Sequence, residues 1–148
     1  ALGALKPDGD ARLWCVFGCG GDRDAGKRPL MASVSERFAD RIIVTDDNPR
    51  TEESPYIIRD IVAGFARPGA VSVIPDRADA IDTAVRLAAP GDVVLIAGKG
   101  HERYQERNGV RTPFNDLNDA RKSLVASAVA TASKDTEPQV RQDSDRHG

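Results

Sequence analysis

Apolar residues fall in short blocks along this chain, and the spacing inside the blocks alternates between two kinds. Arg12 to Phe17 (RLWCVF) is nearly continuous and runs into the glycine-rich stretch GCGGDRDAGK. A run of that length bounded by glycines predicts a buried strand. Pro29 to Asp40 then places Leu30, Val34 and Phe38 on one face, predicting a helix with proline in its first turn. Arg41 to Thr45 (RIIVT) predicts a second strand. Pro55 to Phe65 predicts a second helix, with apolar residues at 57, 58, 61, 62 and 65 and with Thr51 or Ser54 as its cap.

The alternation continues. Ala70 to Ile74 predicts a third, weaker strand, and Ala78 to Ala89 a helix with Ile81, Val85, Leu87 and Ala88 inward. Asp92 to Ala97 (DVVLIA) is the most strand-like stretch. Tyr104 to Phe114 carries an Asn108-Gly109 turn and predicts short antiparallel strands at the sheet edge. Asp116 to about Thr131 predicts a final helix with Leu117, Ala120, Leu124, Val125 and Ala128 on its buried side. Strands alternating with helices at this spacing give an α/β fold: a Rossmann-like, mostly parallel sheet with helices on both faces and an antiparallel edge strand. No internal repeat interrupts the order.

The ends read differently. Ala1 to Leu5 resemble the last turn of a helix already under way, and the stretch TASKDTEPQVRQDSDRHG at 131–148 is polar and unpatterned. The expected division is therefore a domain over 1–130 and a disordered tail or linker over 131–148, with a further fused module as one possible continuation. At 148 residues, 40% hydrophobic and 30% charged, the chain can bury a real core. Its 21 basic and 23 acidic residues give a net charge of −2, which offers no bulk field for nucleic acid or lipid headgroups. No apolar run reaches membrane-spanning length. Cys15 and Cys19 are too far apart along a strand to bridge, so a cytoplasmic protein with reduced thiols is expected.

Ligands of open α/β sheets bind beyond the carboxyl ends of the strands, so the loops after three strands matter most. In GCGGDRDAGKRP, Gly20 and Gly21 free backbone N–H groups beside Arg23, Lys27 and Arg28. The loop either holds an anion at a helix N-terminus or is a glycine-eased turn with solvated charges. It matches neither G-x-G-x-x-G nor a P-loop, because Arg28 stands where the latter needs Ser or Thr. In DDNPR, Pro49 restricts Asn48 and so directs Arg50, whose guanidinium can grip a carboxylate through two bonds while Asp47 receives an ammonium. The plainer alternative is an Asx-turn with Arg50 paired to Glu52 or Glu53. In AGKGHE, Gly98 and Gly100 permit close approach, Glu102 is a second ammonium acceptor, and His101 is either a proton carrier or solvent-facing.

Taken in order, FGCGGDRDAGKRP, VTDDNPRTEES and VVLIAGKGHERYQ resemble the carboxy-terminal domain of the Mur ligase family of peptidoglycan synthesis. The branch resembled is the UDP-N-acetylmuramoyl-tripeptide synthetases that add meso-diaminopimelate. The resemblance implies a Rossmann-like unit that carries the incoming amino acid to a carboxyl activated with ATP and Mg2+ on a central domain. The other substrate would be a UDP-N-acetylmuramoyl dipeptide. It further implies that Arg50 and Asn48, within Asp47-Asn48-Pro49-Arg50, hold the distal carboxylate and that Arg23 contacts the other one. Gly98 and Glu102 would bind the distal amino group. Lysine lacks the distal carboxylate and would leave Arg50 unpaired, so it would be rejected. The family's DYAHTP strand and its ATP-binding half are not in this sequence, so the 148 residues alone would be inactive. Relatives read FDDRE where this chain has Phe114 to Asn118 as FNDLN. Two rivals share the same residues: a related domain serving another amino acid, and a non-enzymatic anion-binding module.

Overall fold

β1 (Leu13–Phe17) is buried along its whole length because it lies between two parallel partners, β2 (Arg41–Val44) and β4 (Val93–Ala97). The computed structural model describes residues 5–135. A short β3 (Ser72–Val73) extends the sheet beyond β2, giving the order β3-β2-β1-β4, all parallel. The crossovers are α1 (Lys27–Phe38), α2 (Ser54–Val62) and α3 (Arg77–Leu87). Side chains along β1 alternate between two cores. Cys15 and Phe17 join Ala32, Ile57, Ile61 and Phe65 under α1 and α2, while Trp14 and Val16 join Ile43, Ala80, Ile81 and Ala84 under α3. Helices therefore cover both faces, as the block pattern predicts. The final α4 (Asp116–Asp135) packs on α3 and continues beyond the expected end near Thr131. Residues 1–4 and 136–148, which hold most of the expected N-terminal turn and tail, lie outside the described residues.

Several inward faces differ from those the periodicity predicts. On α1 the buried residues are Arg28, Ala32 and Ser35, whereas Leu30 is 65% exposed and Val34 is also exposed. α1 turns its small residues to the sheet, and Gly64 after α2 packs directly on Pro29. That contact rotates Leu30 and Val34 toward an apolar groove of about 350 Å3, shared with Cys15, Phe17 and Leu95. Leu87 ends α3 exposed, although Ile81 is fully buried and Val85 and Ala88 are half-buried. On α4, Leu117, Leu124, Val125 and Ala128 face outward, and the helix packs through Asp116, Ala120 and Ser123. The rotation of α4 is set by an ion pair at its first residue, described below, which outweighs the apolar stripe. α2 buries Ile57, Ile58, Ile61 and, beyond its end, Phe65, as expected. Its cap position is Glu53 without a side-chain bond, because the Ser54 hydroxyl donates to Asp46 Oδ1 instead.

The expected hairpin forms as β5 (Tyr104–Arg107) and β6 (Val110–Pro113), turned at Asn108-Gly109 with both residues at positive φ. It is not an edge strand of the main sheet. It makes its own two-stranded sheet and meets the loop after β2 at an isolated backbone bridge between Arg50 and Arg107, joined by side-chain bonds from Gln105, Glu106 and Arg107. Arg50 N–H donates to Glu106 O (3.1 Å), and Asn108 N–H donates to Arg50 O (2.7 Å). Those bonds satisfy loop backbone that would otherwise lack partners, so the hairpin crosses the ends of the strands rather than lengthening β4.

Candidate functional site

Parallel pairing brings the ends of β1, β2 and β4 to one edge, and the three loops there touch directly. At Gly18 and Gly21 a side chain is impossible: a Cβ would fall onto the backbone of Thr45 and Asp47, and of Pro49, respectively. Gly21 N–H also donates to Asn48 O (2.8 Å), knitting the first loop to the second. On the other side Gly98, at φ +113, leaves room for the Asp47 carboxylate, whose Oδ2 sits 3.1 Å from where a Cβ would be. The glycines thus serve to bring backbone and charge together, which a plain solvated turn does not require.

Arg50 lies at the seam of the loops, with 20% of its side chain exposed. Its Nη1 donates to Gly21 O (3.0 Å), and its Nε is 3.3 Å from Glu106 Oε2. The backbone of Arg50 is left-handed, φ 52, a conformation costing an L-residue roughly 1–2 kcal/mol and held here by the two hairpin bonds. Neither Glu52 nor Glu53 pairs with it. Glu52 instead takes the buried Arg28 guanidinium at 2.5 Å, and Arg28 also binds Asp60 and Gly20 O. Arg23 is exposed, its Nη1 donating to Asp22 O (3.1 Å), and its Cγ lies with the Arg50 guanidinium within 4 Å of where a Cβ on Gly20 would be. Two cations therefore border one glycine.

The acidic half is built from the second and third loops. Asn48 is 2% exposed; its Oδ1 accepts from Lys99 Nζ (2.6 Å) and from Glu106 N–H (2.9 Å), and its Nδ2 donates to Glu102 Oε2 (3.0 Å). Asp47 Oδ1 is buried and accepts no hydrogen bond among the described residues, although Lys99 Nζ stands 3.2 Å away. Gln105 donates to Asp47 O (2.8 Å). Pro49 is fully buried under the first loop, and Gly100 and His101 are exposed. Arg23, Asp47, Asn48, Pro49, Arg50, Gly98 and Glu102 thus fall at one sheet edge, cations toward the first loop and carboxylates toward the third.

Beneath them lies a pair that periodicity does not reveal. Arg77, at the start of α3, is fully buried and forked onto Asp116 (Nε–Oδ1 2.7 Å, Nη2–Oδ2 2.8 Å). It also donates to Asp46 O and Ala97 O, both at 3.1 Å, the carbonyls just before Asp47 and Gly98. Asp116 is the acid retained in the FNDLN segment, so that stretch fastens α4 to the floor of the site. Lys99, Gln105 and Glu106 were also not singled out by sequence. A lysine between two glycines was the one available signal.

Hydrogen bonds hold the rim acids ionised. Asp22 titrates below the usual carboxylate range because the Thr51 hydroxyl and N–H donate to it, and Glu52 does so because Arg28 and the Asp22 N–H donate to it. Burial pushes Cys15 and Cys19 up to about 11, so neither thiol is a nucleophile at neutral pH. Among the described residues no group of three or more His, Cys, Asp and Glu could hold a metal ion, and the first loop carries no P-loop. Nor is any described helix long and apolar enough to cross a membrane.

Comparison with known proteins gives a consistent result. Residues 1–100 match the family described as Mur ligase, glutamate ligase domain. The chain is 58% identical over 131 residues to the UDP-N-acetylmuramoyl-L-alanyl-D-glutamate--2,6-diaminopimelate ligase of Pseudomonas aeruginosa, covering 88% of this chain and 27% of that protein. The ligase of the same name from Coxiella burnetii is 58% identical over 124 residues, 84% of this chain and 25% of its own length. A solved structure of a protein of that name superposes with a TM-score of 0.75 at 48% identity, covering 79% of this chain and 24% of that one. The chain spans about a quarter of the length of the curated relatives it matches. With two thirds of its length matched by one model and its fold shared with a solved member, the chain belongs to the Mur ligase, glutamate ligase domain family.

Proposed function

We propose that this chain is the part of an ATP-dependent ligase that holds meso-diaminopimelate while its amine is joined to UDP-N-acetylmuramoyl-L-alanyl-D-glutamate. The observation that carries this reading is the division of charge across the three loops. Arg23 and Arg50 both lie against Gly20, while Asp47 lies against Gly98 and Glu102 reaches Asn48. A ligand bearing carboxylates and an ammonium fits that division, and an anion alone does not. Asp47 Oδ1, ion-paired with Lys99 at 3.2 Å but accepting no hydrogen bond among the described residues, has room to accept from a ligand ammonium. Arg50 and Asn48 would take the distal carboxylate, Arg23 the other, and Gly98 and Glu102 the distal amine. Activation of the second substrate by ATP and Mg2+ would belong to the other three quarters of such a ligase. Two buried free thiols suit a reducing, cytoplasmic setting.

The test is a graft of this chain in place of the matching segment of the Pseudomonas aeruginosa ligase. The graft should ligate meso-diaminopimelate and reject lysine, and the 148 residues alone should not turn over. Arg50→Ala should raise KM for diaminopimelate about 10- to 100-fold, the equivalent of charge-assisted bonds worth roughly 1.5–3 kcal/mol, and leave KM for ATP unchanged. A graft that prefers lysine, or an Arg50→Ala variant with unchanged KM for diaminopimelate, would refute the reading.

A further inference from the structure

Lys99 is a charged residue buried to 3% exposure in the centre of the site, and the binding scheme above gives it no work. Gly98 and Gly100, at φ +113 and +54, turn the chain on either side of it, and Glu102 N–H closes the turn onto Lys99 O (3.0 Å). The ammonium reaches Asn48 Oδ1 (2.6 Å) and Tyr104 O (3.0 Å), with Asp47 Oδ1 at 3.2 Å and Glu102 Oε2 at 3.9 Å. A buried ammonium is expensive unless surrounded by acceptors, and these come from both the second and third loops.

We propose that Lys99 is the positioning residue of the acidic half of the site, an inference that rests on the diaminopimelate reading only for the ligand used. Its first effect is on Asn48. An ammonium has donors and no acceptor, so only the amide oxygen can face it. Oδ1 is thereby turned to Lys99 and Glu106 N–H, and Nδ2 is turned to Glu102. The second effect is on charge. Asp47 and Glu102 together with Lys99 carry one net negative charge, matched to a single ligand ammonium. Without Lys99 the same two carboxylates would repel each other and spread apart.

Nuclear magnetic resonance on the 148-residue chain tests the first effect with no ligand. In wild type the Asn48 side-chain amide should exchange slowly, and Lys99→Met should accelerate that exchange about tenfold or more while amides of β1 and β2 keep theirs. Unchanged Asn48 exchange in a folded Lys99→Met chain overturns the proposal. Should the variant not fold, wild type decides: a held ammonium gives a slowly exchanging Nζ resonance coupled to Asn48, and its absence overturns the proposal. The second effect is read in the grafted ligase, with 2-aminopimelate as the analogue that lacks one amine. Lys99→Met should cut the preference for diaminopimelate over this analogue about tenfold, with KM for ATP unchanged, and should add little in a Glu102→Gln background. Equal losses for both amino acids, or full additivity with Glu102→Gln, point to a merely structural lysine and overturn it. An Asn48 signature that depends on Lys99 in a chain whose graft ignores diaminopimelate would keep the positioning role and sink the substrate reading instead.

Discussion

Replacing Asp116 with alanine strips a buried guanidinium of its counter-charge. The Arg77 side chain has no exposed surface and Asp116 has 8%, so water cannot stand in for the lost carboxylate without opening the contact between α3 and α4. Two bonds of 2.7 and 2.8 Å disappear, and Arg77 keeps only the carbonyls of Asp46 and Ala97. Removing one partner of a buried pair costs about 3–5 kcal/mol, a large part of the roughly 5–15 kcal/mol that holds an ordinary domain together. Urea unfolding of the 148-residue chain should therefore move to a much lower midpoint with little change in slope, and the melting temperature should fall by roughly 10 °C. The double variant Arg77→Met with Asp116→Leu should recover part of the loss, because no buried charge is left unpaired, although the carbonyls of Asp46 and Ala97 lose the donor that Arg77 supplied. A loss below about 1 kcal/mol for Asp116→Ala would mean that the pair is effectively solvated, and the argument would fail. Because Arg77 also holds the residues before Asp47 and Gly98, the same variant should disturb amide resonances of both loops.

Two further outcomes follow from the rim. Glu106 occupies the Arg50 guanidinium, so Glu106→Gln should tighten diaminopimelate binding several-fold in a calorimetric titration of the grafted ligase; weaker binding would show that Glu106 orients Arg50 rather than competing for it. Asp22 and Glu52 have depressed folded-state values, so the stability they supply is complete above the unfolded carboxylate value of about 4 and is lost as pH falls through the lower folded value. The Thr51 amide resonance should report that loss with a midpoint below about 4, and a midpoint above it would contradict the bonds from Thr51 and Arg28.

The order of elements and the three loops were legible in the sequence because local chemistry sets them. A run such as RLWCVF can hardly be satisfied except between neighbours in a sheet, and parallel topology carries the residues after such runs to one edge. The glycines at 18, 20, 21 and 98 mark close approach, whereas Gly100 is a positive-φ turn with open space around it. Arg50 beside the first glycine loop, and Asp47 beside Gly98, follow from that placement.

Which face each helix turns inward was decided only in three dimensions. Apolar spacing on α4 favoured Leu117, Leu124 and Val125, yet one buried ion pair at Asp116 outweighed that stripe and left all three in solvent. The hairpin's place across the strand ends, the left-handed backbone of Arg50 and the inward turn of Lys99 all depend on partners roughly 50 or more residues away along the chain. Periodicity reports what a residue prefers among its neighbours in sequence. Charge pairing in a desolvated interior depends on groups far off in the chain, and its energy is large enough to overrule that preference.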